Sequence, residues 1–188
     1  MTERELIQQA TNGSQAAFSE LVTRNETKLW NVCLRITANH HDAEDAFAAA
    51  VYLGWKNLAK FRGESGFGTW MYRIASNASY ELVRKRRPEV SMDTPLGVDD
   101  NASPMEFADP TRHFEELIAD NDELNAALAQ LPEDAREALI LAEVAGMKLS
   151  EIAEHQSSSL TATKVRVHRA RKTMRELLSA SGPSAESQ

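Results

Sequence analysis

Six basic side chains lie close together near the end of this 188-residue chain, between Leu160 and Arg175, where no Asp or Glu occurs. Such side chains neutralise phosphates and donate hydrogen bonds to base edges, so the chemistry they predict is nucleic-acid binding. The same stretch carries residues that recur at i, i+4, i+7 and i+11 and therefore share one helical face. That face is expected to pack against the protein; its members are Thr163, Val167, Ala170 and Met174.

A shorter helical pattern precedes this one, and together they read as a helix-turn-helix. Leu149, Ile152 and Ala153 form its apolar side, and a short polar turn follows. In a helix-turn-helix the second helix enters the DNA major groove with its outward side chains against the base edges. The residues expected to face the groove are Lys164, Val165, His168 and Arg169, with Arg166 and Arg171 nearer the flanks and phosphates.

A second set of candidate DNA contacts lies near the middle of the chain. A glycine-rich turn over 62–68 precedes a helical pattern that ends in consecutive basic residues. The turn suits a backbone that closes around an unstacked base, and Phe67, with Trp70 and Tyr72, would supply aromatic surface. Further along, the amide of Asn77 can form paired hydrogen bonds to a base edge. The basic residues are expected to grip phosphates without reading sequence; they are Arg84, Lys85, Arg86 and Arg87.

Catalytic and metal-binding chemistry fits less well. His40, His41 and Asp42 are followed by two more acidic residues, but contiguous side chains diverge around a helix start, and the other histidines are isolated. Asp42 is better explained as a helix N-terminal residue stabilised by the helix dipole. The glycines of the 62–68 turn lack the Lys-Ser/Thr ending of a phosphate-binding loop. We therefore expect no enzymatic activity, no metal and no cofactor.

Composition narrows the class of protein further. The one cysteine, Cys33, excludes an internal disulfide and fits a small buried hydrophobe. The chain shows no apolar run near the roughly 20 residues that span a bilayer and no apolar signal-peptide segment, so we expect a cytoplasmic protein without membrane insertion. The net charge of −7 equals that of residues 88–116 alone, and elsewhere the charges balance. The basic clusters can therefore meet an anionic partner locally.

Helical periodicity dominates the chain, and no stretch alternates with the two-residue period of a strand. The expected fold is all-α, with two small helical domains at 1–87 and 114–178 joined by an extended acidic linker at 88–113. Pro88 ends the last helix of the first domain. In the second domain, the apolar pattern from Phe114 to Leu131 predicts one helix, Pro132 opens the next, and Gly146 is a candidate C-terminal cap. A disordered tail is expected at 179–188.

Three motifs resemble, in their order, those of extracytoplasmic-function (group IV) sigma factors of bacterial RNA polymerase, members of the sigma-70 family. They are DAED at 42–45 followed by Trp55, FRGESGFGTWMYRIASN at 61–77, and the set LPEDAREALIL, SEIAE and KVRVHRARKTMREL in the last third. The resemblance covers nearly the whole chain apart from the tail. It implies that the first domain is sigma-2-like, binding polymerase core and opening the −10 element. The second would be sigma-4-like, reading the −35 element, and Asn77 would read the −10 element.

The resemblance also implies protein partners. They are polymerase core, through the clamp helices of its largest subunit and the flap of its second subunit, and commonly an anti-sigma factor. The clamp helices would meet the outward face of the helix after DAED, which carries Glu44, Asp45, Ala48 and Tyr52. Relatives usually have Gln and an acidic residue where this chain has Ala48 and Ala49. They also have a Gly and a hydrophobe in the turn where this chain has Ser157 and Ser158; a Ser forced to positive φ costs roughly 1 kcal/mol.

A free-standing helix-turn-helix regulator that binds DNA as a dimer is the alternative. It accounts for the C-terminal helices but gives the aromatic, glycine-containing N-terminal domain no role. The two functions differ in one observable property, because a regulator binds promoter DNA alone whereas a sigma factor needs polymerase core.

Overall fold

The computed structural model describes residues 1–86 and 122–181, which form eight α-helices and one 3-10 helix without a strand. The N-terminal block, residues 1–86, contains α1 (Glu3–Thr11), α2 (Gln15–Thr37), α3 (His40–Asn57), the 3-10 helix (Leu58–Lys60) and α4 (Phe67–Arg86). The C-terminal block, residues 122–181, contains α5 (Asp122–Ala129), α6 (Glu133–Glu143), α7 (Leu149–His155) and α8 (Leu160–Ser181). The all-α fold is confirmed for the described ranges.

Helices α2, α3 and α4 pack together as the core of the N-terminal block. The inward face of α3 is formed by small residues, with Ala46, Ala50 and Gly54 buried. Gly54 allows close approach, since a Cβ there would lie 2.6 Å from Met71 Sδ of α4. Cys33 is fully buried, which raises the pKa of its thiol to about 11, as suits a packing residue.

The start of α4 differs from the expectation. The glycine-rich turn predicted a helix from Thr69, but α4 begins at Phe67, so the connecting loop is shorter. The carboxylate of Glu3, at the start of α1, accepts a hydrogen bond from the Phe67 N–H at 3.2 Å and satisfies an otherwise unpaired donor at the helix end. Gly68 lies in the first turn of α4, where any side chain would collide with Asn25 Oδ1. This glycine therefore serves packing.

The C-terminal block is built around the contacts of α8 with α5, α6 and α7. Gly146 follows α6 with a φ of +70°, and the Met147 N–H bonds the Leu141 carbonyl at 3.0 Å to close that helix end. Of the helix expected from Phe114, the structure describes Asp122–Ala129. The linker at 88–113, and Phe114, lie outside the described residues. Helix α8 runs to Ser181, three residues into the segment expected as a disordered tail, and 182–188 also lie outside the described residues.

Candidate nucleic-acid interface

The helix-turn-helix is formed by α7, a tight turn and α8. The turn contains Ser157, which adopts a left-handed backbone with φ +50° at the position where relatives usually carry glycine. The N–H groups of Ser157 and Ser158 close the end of α7 by donating to the carbonyl oxygens of Glu154 and Ala153. Helix α8 then begins with a side-chain cap, because Ser159 Oγ accepts from the Ala162 N–H at 3.1 Å.

The inward face of α8 is the predicted one. Thr163, Val167, Ala170 and Met174 are all buried. The only polar member, Thr163, has its hydroxyl within 2.8 Å of Ser158 Oγ and bonded to the Ser159 carbonyl. The rotation of the helix assigned from periodicity is therefore confirmed.

The outward face of α8 presents the residues expected in the groove to different degrees. Lys164 and Arg169 are exposed, whereas Val165 and His168 are half-buried. Exposed, flexible cations can reach phosphates and base edges without losing internal contacts. Lys164 and Arg169 are thus the residues of this set best placed to contact DNA.

Arg166 and Arg171, which were expected near the flanks and phosphates, are both paired with carboxylates of the protein. Arg166 Nε lies 3.0 Å from Asp134 Oδ2 and its Nη1 donates to Gln156 Oε1. Arg171 Nη2 lies 2.5 Å from Glu143 Oε1, whose side chain is almost completely buried. Both guanidinium groups turn back toward α6 and are bound to protein carboxylates. The sequence pattern of α8 misses this because both carboxylates lie on α6.

The expectation that Phe67 offers aromatic surface is wrong. Phe67 has no exposed surface, and its ring packs edge-on against Phe18 and Phe61 with centroids 6.0 and 6.2 Å apart. Tyr72 is also buried, while Trp70 is half-buried against Phe61 at 5.1 Å. Phe67 is the first residue of α4, whose N-terminus is bonded to Glu3, and its ring lies in the core. A phenylalanine between two glycines gives no sign in the sequence that its ring is buried.

Asn77 is exposed on α4, as a base-reading amide requires. The basic end of the same helix is exposed as well, but each described cation has an acidic neighbour. Arg84 pairs with Glu133, Lys85 with Glu81, and Arg86 with the buried carboxylate of Asp42. Arg87 lies outside the described residues. Asp42 does lie in the first turn of α3, where its N–H bonds the Asn39 side chain at 3.1 Å.

One face of α4 contacts the C-terminal block, and Asn77 lies on it. Arg73 Nη2 bonds Glu154 Oε2 at 2.7 Å and the Glu151 carbonyl at 3.1 Å. The Tyr80 hydroxyl donates to the Glu133 carbonyl at 3.3 Å. Between the blocks lies a cavity of about 390 Å³ lined by Asn77, Tyr80, Glu81, Arg84, Glu133, Glu137 and His155.

Glu137 is the centre of the polar contacts beside this cavity. Its carboxylate accepts hydrogen bonds from Ser76 of α4 and from Gln156 at 2.9 Å, and lies 3.0 Å from His155 Nε2. Burial favours the neutral acid, but the hydrogen bonds from His155, Ser76 and Gln156 together hold the Glu137 pKa below its ordinary value. The local pattern does not single out Glu137, because Glu133 and Asp134 lie one turn before it on the same side of the helix. Its partner His155 is 18 positions away, so no local pattern links the two residues.

The outward face of α3 carries the residues expected to meet polymerase. Glu44, Asp45, Ala48 and Tyr52 are all exposed, and the Tyr52 ring is 63% exposed with Lys56 Nζ 5.9 Å from its centroid. Large exposed aromatic side chains are typical of interaction surfaces. The geometry fits the predicted role, which stays a prediction.

The described residues can also be compared with what a metal site and a membrane-spanning helix require. In the ranges 1–86 and 122–181, no three His, Cys, Asp or Glu side chains converge as a metal site would require. His40 instead lies 5.9 Å from the Trp30 ring. None of the helices that the structure describes is long and apolar enough to span a bilayer.

An all-α fold with a helix-turn-helix in its C-terminal block defines a DNA-binding protein. The family model Sigma-70 region 2 matches residues 21–89, and Sigma-70, region 4 matches residues 121–174. The chain belongs to the sigma-70 family, in its extracytoplasmic-function (ECF) group. It is thus an alternative sigma factor that directs promoter-specific transcription, and its partners include RNA polymerase and promoter DNA.

Relatives resemble the chain over almost its full length. The ECF RNA polymerase sigma factor SigW of Bacillus subtilis (strain 168) is 25% identical, over 95% of this chain and 97% of its own. The ECF RNA polymerase sigma-E factor of Escherichia coli (strain K12) is 29% identical, over 93% of each. CnrH, solved in complex with the cytosolic domain of CnrY, is 25% identical with a TM-score of 0.70, over 96% of this chain and 99% of that one. The sigma factor RpoE of Bartonella quintana, solved with the anti-sigma factor NepR, shares the fold with a TM-score of 0.65 at 22% identity, over 87% and 98%.

Proposed function

We propose that this sigma factor reads the −35 element with the outward face of α8, chiefly through Lys164 and Arg169. The observation that carries the proposal is their exposure on a helix whose opposite face is buried in a helix-turn-helix. That geometry presents long basic side chains to the major groove, where Arg and Lys bind guanine edges. Val165 and His168 would border the contact.

Recognition and melting of the −10 element is assigned to α4. The exposed Asn77 amide would read a base, and Arg84 and Lys85 would contact phosphates after exchanging their exposed carboxylate partners for DNA. Exposed ion pairs contribute little stability, so this exchange costs little. Arg86 is not assigned to DNA, because removing it from Asp42 would leave a buried carboxylate unpaired.

Polymerase core would be bound in part by Glu44, Asp45, Ala48 and Tyr52 of α3, against the clamp helices of the largest subunit, with the flap of the second subunit meeting the C-terminal block. The exposed Tyr52 supports this surface. An anti-sigma factor is a further expected partner, as the relative RpoE of Bartonella quintana was solved with one. Since promoters and polymerase are its targets, we expect the protein in the bacterial cytoplasm.

The test is run-off transcription with bacterial core polymerase, the purified chain and a library of promoters randomised at both elements. Transcripts should appear only when core polymerase and the purified chain are both present. The promoters that give transcripts should be enriched for two spaced elements. Lys164→Ala should reduce the dependence of transcription on the −35 element. Lys172→Ala is the matched control and should not, because Lys172 lies on the same helix but is not among the residues assigned to the groove. Tight core binding without promoter-dependent transcripts contradicts the proposal. Sequence-specific binding of DNA by the chain alone, as a dimer, favours the free-standing regulator.

A further inference from the structure

One guanidinium group joins three parts of the helix-turn-helix. Arg166 of α8 pairs with Asp134 of α6 at 3.0 Å and donates to the side-chain carbonyl of Gln156 at 2.5 Å. Gln156 directly precedes Ser157, the residue with the left-handed backbone. The Gln156 NH₂ group donates in turn to the Asp134 carbonyl and to Glu137, both at 2.9 Å. Arg166 therefore connects the recognition helix, the turn and α6.

The apolar contacts of α8 are supplemented by two directional ion pairs, Arg171 with Glu143 and Arg166 with Asp134. Val167 and Ala170 are small, and their burial is stabilised by non-directional forces. A planar guanidinium held between a carboxylate and an amide is directional and resists rotation about the helix axis. Rotation would displace long side chains on the far side of the helix the most. The orientation of Lys164 and Arg169 therefore depends on the contacts of Arg166.

Arg166 differs from the outward-facing cations of α8 in its burial and in its ion pair. Its side chain is 23% exposed and engaged at both ends of the guanidinium, whereas Lys164 and Arg169 are exposed. To reach a phosphate, Arg166 would have to leave both Asp134 and Gln156. The amide would then lose a charge-assisted hydrogen bond in a half-buried site.

We propose that Arg166 is a positioning residue for −35 recognition, which fixes the orientation of α8 through Asp134 and Gln156 without contacting DNA. This rests on the proposed −35 role of Lys164 and Arg169. A positioning role and a phosphate contact predict opposite changes in DNA binding when Asp134 is substituted. Removing a negative charge strengthens binding to DNA if charge alone matters, and weakens it if Asp134 is needed to hold Arg166.

The experiment uses holoenzyme made from bacterial core polymerase and the full chain, with promoters that carry either the matched or a replaced −35 element. Promoter-complex formation is measured across a series of salt concentrations for Arg166→Gln, Asp134→Asn and Gln156→Ala. Each variant should lower binding to the matched promoter by about tenfold, which is the size of effect expected when one hydrogen bond to a charged group is lost. Binding to the replaced promoter and the salt dependence should not change. Gln156→Ala, which alters no charge, provides the test if a charge variant does not fold at the assay temperature by circular dichroism.

The control variants separate the possible outcomes. Glu176→Gln removes an exposed acid from α8 without touching these contacts and should not lower binding. Lys164→Ala should lower binding to the matched promoter by about tenfold and leave binding to the replaced promoter unchanged. If Lys164→Ala has no effect on −35 use, the −35 assignment itself fails. The inference is overturned, and Arg166 is a phosphate contact, if Lys164→Ala behaves as expected but the other variants do not. In that case Arg166→Gln weakens binding to both promoters and flattens the salt slope, and Asp134→Asn leaves binding unchanged or strengthens it.

Discussion

At the scale of single residues, the basic end of α4 contains cations with different tasks. Arg86 pairs with Asp42, whose side chain is 6% exposed, whereas Lys85 pairs with Glu81, both largely exposed. Arg86→Ala should lower the unfolding free energy by about 1–3 kcal/mol, because it strands a buried carboxylate. Lys85→Ala, the control, should cost less than about 0.5 kcal/mol. Urea unfolding followed by tryptophan fluorescence tests this, since all three Trp lie in the N-terminal block. Equal costs would contradict the assignment.

Asn77 is the second residue whose role can be isolated. Its exposed amide should discriminate among bases of the −10 element, so Asn77→Ala should relax preference at one position by about 1–3 kcal/mol. Lys85→Ala should instead weaken binding about equally on all sequences and flatten the salt dependence. The measurement is open-complex formation by holoenzyme on −10 variants. If the two variants show the same dependence of open-complex formation on the −10 sequence, Asn77 does not determine base preference.

At the scale of elements, the turn between α7 and α8 carries strain at one position. Ser157 has a φ of +50°, which costs a non-glycine residue roughly 1–2 kcal/mol, while glycine loses more backbone entropy on folding. Ser157→Gly should therefore stabilise the C-terminal block by about 0.5–1 kcal/mol net. Hydrogen exchange of α8 amides measures it. Ser159→Gly is the matched control and should cost a few tenths of a kcal/mol instead, because it removes the α8 cap. Stabilisation by both would point to a general glycine effect.

The same elements show what the sequence could reveal. The buried face of α8, including Val167 and Ala170, follows from a local period of 3.6 residues, so its prediction is confirmed. The partner of Arg171 is Glu143, 28 positions away, and no local pattern encodes that distance. The prediction that Phe67 is exposed is wrong for the same reason, because the Glu3 contact at the start of α4 spans 64 positions. Periodicity thus predicts which face is buried, but not which charges are already paired.

At the scale of the whole molecule, Glu137 links the two blocks through Ser76 and makes their stability pH-dependent. Its pKa is below the ordinary value in the folded chain, so its ionised form stabilises the fold above the unfolded pKa, near 4.5. That contribution is lost as pH falls through the lower folded value. The difference in thermal stability between the parent chain and Glu137→Gln should therefore be full at pH 6 and shrink below about pH 4.5. A difference that grows on acidification would contradict this.

The contact between the blocks also covers part of the proposed −10 surface. A DNA strand approaching Asn77 would meet the carboxylates of Glu133 and Glu137 across the cavity, and these repel phosphates. Separation of the blocks is therefore expected to favour promoter binding through Asn77. Arg73 is the natural place to test how firmly they are held, because it is half-buried and bonds both Glu154 and a main-chain carbonyl of α7.

Charge reversal at this pair should open the molecule. Arg73→Glu would place a carboxylate against Glu154 and the Glu151 carbonyl, and Glu154→Arg would place two cations together. Small-angle X-ray scattering of the free chain should give each single variant a larger radius of gyration than the parent. The double variant restores opposite charges but not the carbonyl bond, so it should return partly toward the parent value. If both single variants keep the parent radius, Arg73 and Glu154 do not hold the blocks together. If the double variant is as expanded as the singles, the charges are not what matters.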